Sequence, residues 1–294
     1  MRTQRGVVFR SARFVAVLLL LIVLWELVKF VAGDVWRYKQ VFGSFDILWK
    51  PPFHNQFASD LNMPHIWDVA GALINPVQRN AKESLAQFLI GAGVFTWQEA
   101  AMGFVAGGVL GLGIATVFVH SGLLERAFSP YVVASQMIPI IALSPIAVII
   151  LGPSPAAIVV IATYLTFYPV TIAATLGLRS PDPRALELMR SYAASPWTVF
   201  WKVRWPASLP YLFTALKIAA AASLMGAIVA EGSGNFPQGL GRAILNFNEQ
   251  YITAPGKLWA AILVSALVGI AFFLIVRLAE SVVLRGRRAA TGPS

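Results

Sequence analysis

Asp182-Pro183-Arg184-Ala185-Leu186-Glu187-Leu188-Met189-Arg190-Ser191-Tyr192-Ala193-Ala194-Ser195-Pro196-Trp197, closing with Ala207-Ser208-Leu209-Pro210, is the stretch on which the reading of this chain turns. It is polar, basic and helix-compatible, and it lies between runs apolar enough to be membrane spans. Asp182 is placed to N-cap a short helix with Pro183 at its first position. Ser195-Pro196 repeats that start signal. Two short helices joined by a turn are expected, with a stop at Pro206 and Pro210. Leu186, Met189 and Tyr192 recur at i, i+3, i+6 and form an apolar ridge. With basic flanks, such a ridge suits docking into a groove on another protein, although packing on its own bundle remains open.

Composition sets the surroundings of this stretch. The chain has 294 residues, 57% of them hydrophobic and only 12% charged. A soluble domain carries roughly 25% charged residues, so there is too little polar surface here to cover a soluble globule. An all-α integral membrane protein follows. No cysteine is present, which excludes disulfides and thiolate metal sites. The net charge of +10 is read as cytoplasmic-loop lysine and arginine. No basic patch interleaved with aromatics stands apart from the spans, so nucleic acid is not an expected partner.

Six spans are expected, at 14–33, 97–119, 131–151, 155–178, 212–230 and 258–278. A cleaved signal peptide is the rival reading of the first. Its apolar part continues past Leu24 with no small-x-small cleavage site after it, so a retained span is preferred. Glu26 and Lys29 are spaced to pair on that helix as an interfacial anchor. Residues 34–96 form an external or interfacial segment with Trp36, Trp49 and Trp67; within it Asn75-Pro76 is read as the start of an amphipathic surface helix. Gly103, Gly107 and Gly111 form a small-xxx-small stripe for close helix approach. Pro139 and Pro145 are expected to break the third span, and Pro169 the fourth.

Lysine and arginine set the orientation. Arg2, Arg5, Arg10, Arg13, Arg126, Arg179, Arg184, Arg190, Lys202, Arg204, Arg285, Arg287 and Arg288 fall on one side, whereas the short opposite loops hold only Arg242 and Lys257. The long segment adds Arg37, Lys39, Lys50, Arg79 and Lys82, but long translocated loops count little. N-in/C-in follows, with 179–210 in the cytoplasm and 289–294 as a C-terminal tail.

Residues 185–210 resemble the cytoplasmic signature loop of membrane-spanning permease subunits of binding-protein-dependent ABC importers, Glu-Ala-Ala-x-x-x-Gly followed by Ile-x-Leu-Pro. Glu187 matches the glutamate and Leu209-Pro210 the closing pair. Leu188-Met189 stands where Ala-Ala is usual. Ala193 stands where glycine is usual, which makes a left-handed turn costlier. The resemblance covers 97–288 and is nearest to the nitrate, taurine, sulfonate and pyrimidine-precursor branch. It also rests on Gly103-Phe104, Met137-Ile138-Pro139, Leu143-Ser144-Pro145, Gly177-Leu178-Arg179-Ser180, Val229-Ala230-Glu231 and Gly239-Leu240-Gly241. Asn62-Met63-Pro64 is the candidate counterpart of that branch's Leu-Pro-x-Pro element.

This resemblance implies a type I ABC importer permease fold in the inner membrane of a prokaryote. It implies an ATPase subunit dimer as one partner, an extracytoplasmic substrate-binding protein as another, and a second permease copy or paralogue beside it in the lipid bilayer. The ATPase-coupling residues would be Ala185, Leu186, Glu187, Met189, Arg190, Tyr192, Ala193, Ser195 and Pro196. The substrate pathway, read from polarity inside apolar helices, would include Ser135, Gln136, Ser144, Ser223, Met225 and Glu231, the last either facing the pathway or bonding its glycine-rich turn. Lys217 is expected to snorkel to the cytoplasmic interface.

No Gly-x-x-x-x-Gly-Lys-Ser/Thr motif occurs, so the chain is not expected to hydrolyse ATP itself. His54, His65 and His120 are isolated in sequence, and no metal or cofactor is expected. A secondary transporter would need acids to hold coupling ions at the midplane, and the spans are poor in acids. That reading and a non-transporting scaffold are the alternatives.

Overall fold

The computed structural model describes residues 2–39, 45–78, 81–234 and 236–288. The expected 289–294 tail and Arg79 lie outside them. The chain divides into two compact units, residues 1–88 with 246–262, and residues 89–245 with 263–294.

The first unit begins with helix α1, Arg2–Ala32. An antiparallel hairpin follows, β1 (Trp36–Lys39) paired with β2 (Phe45–Trp49), and then the short helix α2, Ile66–Ile74. The expected Glu26–Lys29 pair does not form, because each finds a better partner in the returning loop. Lys29 is fully buried and donates to Asp60 Oδ1 at 2.5 Å and Met63 O at 2.6 Å. Glu26 bonds His65 Nδ1 at 2.8 Å and accepts from the Ile66 amide at 3.0 Å. That amide is one of the orphan donors at the start of α2, where His65 offers no side-chain cap. The surface helix expected from Asn75 is also not found. Asn75 ends α2, Pro76 bridges to Ser84, and the Leu85 amide closes the loop on Asn75 O at 2.8 Å. The Asn-Pro start signal is overridden by this closure.

The second unit is a helical bundle. Helix α3 runs Leu85–His120, α4 Gly122–Ser135, α5 Ile140–Leu151 and α6 Pro155–Arg179. Two short helices, α7 (Pro183–Ser191) and α8 (Pro196–Val199), precede a π-turn at Phe200–Arg204 and helix α9, Trp205–Ser233. Helix α10, Leu240–Glu249, and α11, Pro255–Arg288, complete the chain. Among the described residues four helical runs are long and apolar enough to cross a bilayer: Leu85–His120, Pro155–Arg179, Pro196–Ser233 and Pro255–Leu284. The α4–α5 pair, bent by 96°, can supply a fifth.

Glycine brings α3 onto α6. A Cβ on Gly103 would lie 2.3 Å from Ala162 Cβ, one on Gly107 2.5 Å from Thr166 Cβ, and one on Gly111 2.5 Å from Phe167 O. The stripe expected from the sequence is therefore the contact surface. Around it Ala157, Ile158, Ile161, Ala220, Leu224 and Ala227 are buried together with Phe272 and Val276. Pro139 caps α5 at the bend, as expected, but Pro145 lies inside α5 and Pro169 inside an unbroken α6. Packing on both sides holds α6 straight enough to carry the missing hydrogen bond.

Candidate functional site

The segment between α6 and α9 is built from its caps. Asp182 Oδ1 accepts from the Arg184 amide at 2.8 Å with Pro183 at the first turn. Ser195 Oγ accepts from the Thr198 amide at 3.2 Å with Pro196 following. Both expected caps are present. Between them Ala193 has φ +50°, the left-handed region that L side chains rarely enter. Its amide bonds Arg190 O at 2.9 Å, and the Ala194 amide reaches Met189 O at 3.0 Å. These two bonds define a Schellman motif with Ala193 at the position glycine favours. The turn survives the missing glycine because it satisfies carbonyls that the end of α7 leaves open.

The stop expected at Pro206 and Pro210 is not found. From Pro196 the chain stays helical to Ser233, 38 residues with Pro206 and Pro210 inside. The π-turn explains the continuity. The Trp205 amide bonds Phe200 O, one residue further back than in an α-helix, just before Pro206 enters. At 1.5 Å per residue the run is about 57 Å long. A bilayer with its headgroups is roughly 40–45 Å, so the run is longer than an untilted crossing needs.

The start of this run is fixed to the bundle on one side and open on the other. Phe200 is buried among Ala115, Val170, Leu178, Leu209 and Leu212. Arg204 donates to Leu178 O at 3.1 Å and closes the end of α6. Arg179 pairs with Glu125, its Nη1 donating at 2.7 Å. By contrast Glu187, Leu188, Arg190 and Tyr192 are exposed. The expected Leu186–Met189–Tyr192 ridge is split. Ala185, Leu186 and Met189 are half-buried, and only Tyr192, 76% exposed, faces out. The open apolar surface is instead Leu188, Tyr192 and Trp197, with Trp201 set edge-on to Trp197 at 5.5 Å.

The expected pathway residues do not form one lining. Ser135 and Gln136 sit at the α4–α5 bend. Ser135 O accepts from Tyr164 Oη, and the Gln136 amide nitrogen is buried without a partner among the described residues. Ser144 is buried near Val229 O at 3.5 Å, and Ser223 is spent on Ala100 O at 2.5 Å. Met225 is 62% exposed. Glu231 is fully buried. Its Oε2 accepts from the Gly241 amide at 2.7 Å, and the space a Cβ on Gly239 (φ +111°) would need is filled by this carboxylate. The glycine-rich turn is therefore its partner, and among the described residues Oε1 has none.

Glu99 was missed by the sequence reading. It is 2% exposed in α3, and both of its oxygens lack hydrogen-bond partners among the described residues. Thr96, one turn earlier, accepts from the Leu240 amide at 2.9 Å. An acid inside an apolar helix was the available signal. Lys217 donates to both oxygens of Glu280 at 3.0 and 2.8 Å and ties α9 to α11, a partner its sequence neighbours do not announce.

A glycine-packed bundle with a doubly capped helix pair is also the fold of solved ABC transporter membrane subunits. The solved "amino acid ABC transporter with histidines" has this fold, with TM-score 0.55 at 17% identity over 66% of this chain and 94% of that one. Residues 107–284 match the family described as binding-protein-dependent transport system inner membrane component, and the chain belongs to that family. It is 34% identical over 180 residues to the formylaminopyrimidine transport permease protein ThiX of Halalkalibacterium halodurans, covering 61% of this chain and 71% of the relative. It is 27% identical over 194 residues to the aliphatic sulfonates transport permease protein SsuC of Bacillus subtilis, described as putative, covering 66% and 69%. The protein is thus an ABC importer permease, a multi-pass inner-membrane subunit that works with an ATPase and a substrate-binding protein.

Proposed function

We propose that this chain forms half of the pathway for a small polar or anionic solute, a nitrate, a sulfonate such as taurine, or a pyrimidine-type vitamin precursor, in a prokaryotic membrane. ATP is hydrolysed by a dimeric partner whose groove receives α7, with Glu187, Arg190 and Tyr192 on the contact face. Ala193, Ser195 and Pro196 hold the turn, while Ala185, Leu186 and Met189 anchor α7 to its own bundle. The terminus before α1 lies in the cytoplasm, α1 supplies a sixth span, and a second copy of the chain supplies the other half. Ser135, Gln136 and Glu231 remain the residues nearest the pathway on this reading; Ser144 and Ser223 hold helices together. A secondary transporter or a scaffold would not need the coupling geometry.

One observation carries the reading: α7 turns at Ala193 straight into the helical run that becomes α9. Closure of the ATPase against α7 would then move α9 as a rigid lever. Reconstituted with its ATPase and binding protein in vesicles, Glu187→Arg should fold as the parent does and lose at least about 90% of ATP-driven uptake, since it reverses the charge at an interface. Uptake by the purified chain without an ATPase, or full uptake by the variant, would overturn it.

A further inference from the structure

Helix α4 is packed unlike its neighbours in the second unit. None of its residues is buried. An apolar hollow of about 680 Å³ lies beneath its middle, walled by Val109 and Ile114 of α3, Phe167 of α6, and Phe128 and Val132 of α4 itself. Dispersion contacts within the chain therefore do little to fix the helix along its length. Beyond the 96° bend α5 is different, with Ser144 fully buried. The bend at Ser135–Gln136 joins a loosely seated helix to a firmly seated one.

What ties α4 down is polar, sits at its two ends, and runs to α6 both times. At its start Arg179 makes a forked bond to Glu125: Nη1 donates to Oε1 at 2.7 Å and Nη2 donates to Oε2. Nη2 also reaches Phe118 O at 3.4 Å, near the end of α3. A forked guanidinium–carboxylate pair fixes direction as well as distance. At the other end Tyr164 Oη donates to Ser135 O, one of the carbonyls for which a helix end has no intrahelical donor. Tyr164 and Arg179 lie roughly 22 Å apart along α6, so the two ties hold α4 alongside it like a strut. Arg179 is also the last residue of α6, and Asp182, the cap of α7, follows three residues later.

We propose that Arg179 and Glu125 are positioning residues for transport: they pass movement of α7 to α4 and so set the bend at Ser135–Gln136, without touching solute. This rests on the transport reading above. The α9 lever leaves the coupling segment at its far end, whereas Arg179 stands at its near end. A push on α7 arrives at Arg179 with almost no intervening chain. The forked pair turns it into movement of α4, whose unburied middle resists little, while α5 stays seated. The bend is then the element whose arrangement the coupling segment biases.

The test reads the bend directly and needs no transported solute. The chain has no cysteine, so Ala127→Cys on α4 and Ile149→Cys on α5, both exposed, give a unique pair of spin labels. The labelled full chain is diluted into unlabelled chain, assembled with its ATPase in nanodiscs, and measured by pulsed electron resonance with and without ATP and vanadate. The parent distance should shift by about 3 Å or more. Glu125→Gln should cut that shift at least about twofold. Glu125→Arg combined with Arg179→Glu should restore it, and Arg126→Gln, an exposed neighbour, should leave it whole. If the exchanged pair does not assemble with the ATPase, Arg179→Gln decides in its place and should act as Glu125→Gln does. A staple that merely held the corner would alter the resting distance and leave the ATP-driven shift intact; that result, no shift in the parent with ATPase bound, or no recovery by the assembled exchange overturns the inference. Failure of the parent to bind any ATPase overturns the transport reading itself, so the two failures are told apart.

Discussion

Ala193 carries the most informative single residue geometry in the chain. Sequence reasoning identified it as a poor occupant of a left-handed turn, and the turn is nonetheless formed, with φ +50°. The left-handed conformation costs an L residue about 1–2 kcal/mol. Ala193→Gly should therefore raise stability by about 1 kcal/mol after its loss of unfolded-chain restriction. Chemical denaturation followed by circular dichroism reads this; a fall in stability would mean the turn is not populated. Asp68 offers a second test. Its folded pKa is raised above the unfolded value, by desolvation first and by Asp60 in addition. A raised pKa means the protonated form suits the fold, so stability is present below the unfolded pKa and is lost as pH rises through the folded one. Asp68→Asn should then be more stable than the parent at pH 7 and lose that advantage in strong acid. Thermal denaturation across pH checks both the sign and the window.

Among the elements, α3 is the one whose sequence and packing agree most closely, and α9 the one where they part. The glycines of α3 at 103, 107 and 111 share a face, and α6 fills that face to backbone distance. Gly107→Leu forces side-chain atoms into Thr166, and overpacking of this kind costs typically 1–3 kcal/mol. Reduced resistance to thermal aggregation in detergent, with a smaller effect for Gly113→Leu, where a Cβ meets nothing within 4 Å, is the expected result. Equal effects would mean that the stripe is not the contact. The ends of α9 tell the other half. Pro206 and Pro210 read as a stop because proline breaks an ordinary helix. The π-turn at Phe200–Arg204 absorbs the first of them and makes α8 and α9 one helical run. No local residue preference announces a π-turn, so only the packing of Phe200 into the bundle reveals it.

For the molecule as a whole, the expected lining residues do not converge within one chain, which on the proposed reading is half of a pathway. A second copy would supply the facing half. Extracted with its ATPase in a mild detergent, the complex should contain two copies of this chain, as read by native mass spectrometry; one copy with a different permease would replace the homodimer by a paralogous pair.

Apolar run length, the glycine stripe and the caps at Asp182 and Ser195 were decided by sequence alone. Each is a local property: hydrophobicity over a bilayer's width, a missing Cβ, or a side chain bonding an amide two or three residues away. The partners of Glu26 and Lys29 in the loop near His65, the burial of Glu99, the tie between Lys217 and Glu280 and that between Arg179 and Glu125 were decided only by tertiary structure. Those charges sit far apart in sequence, and a buried charge takes whichever partner the fold brings within reach, not the neighbour its helix spacing offers.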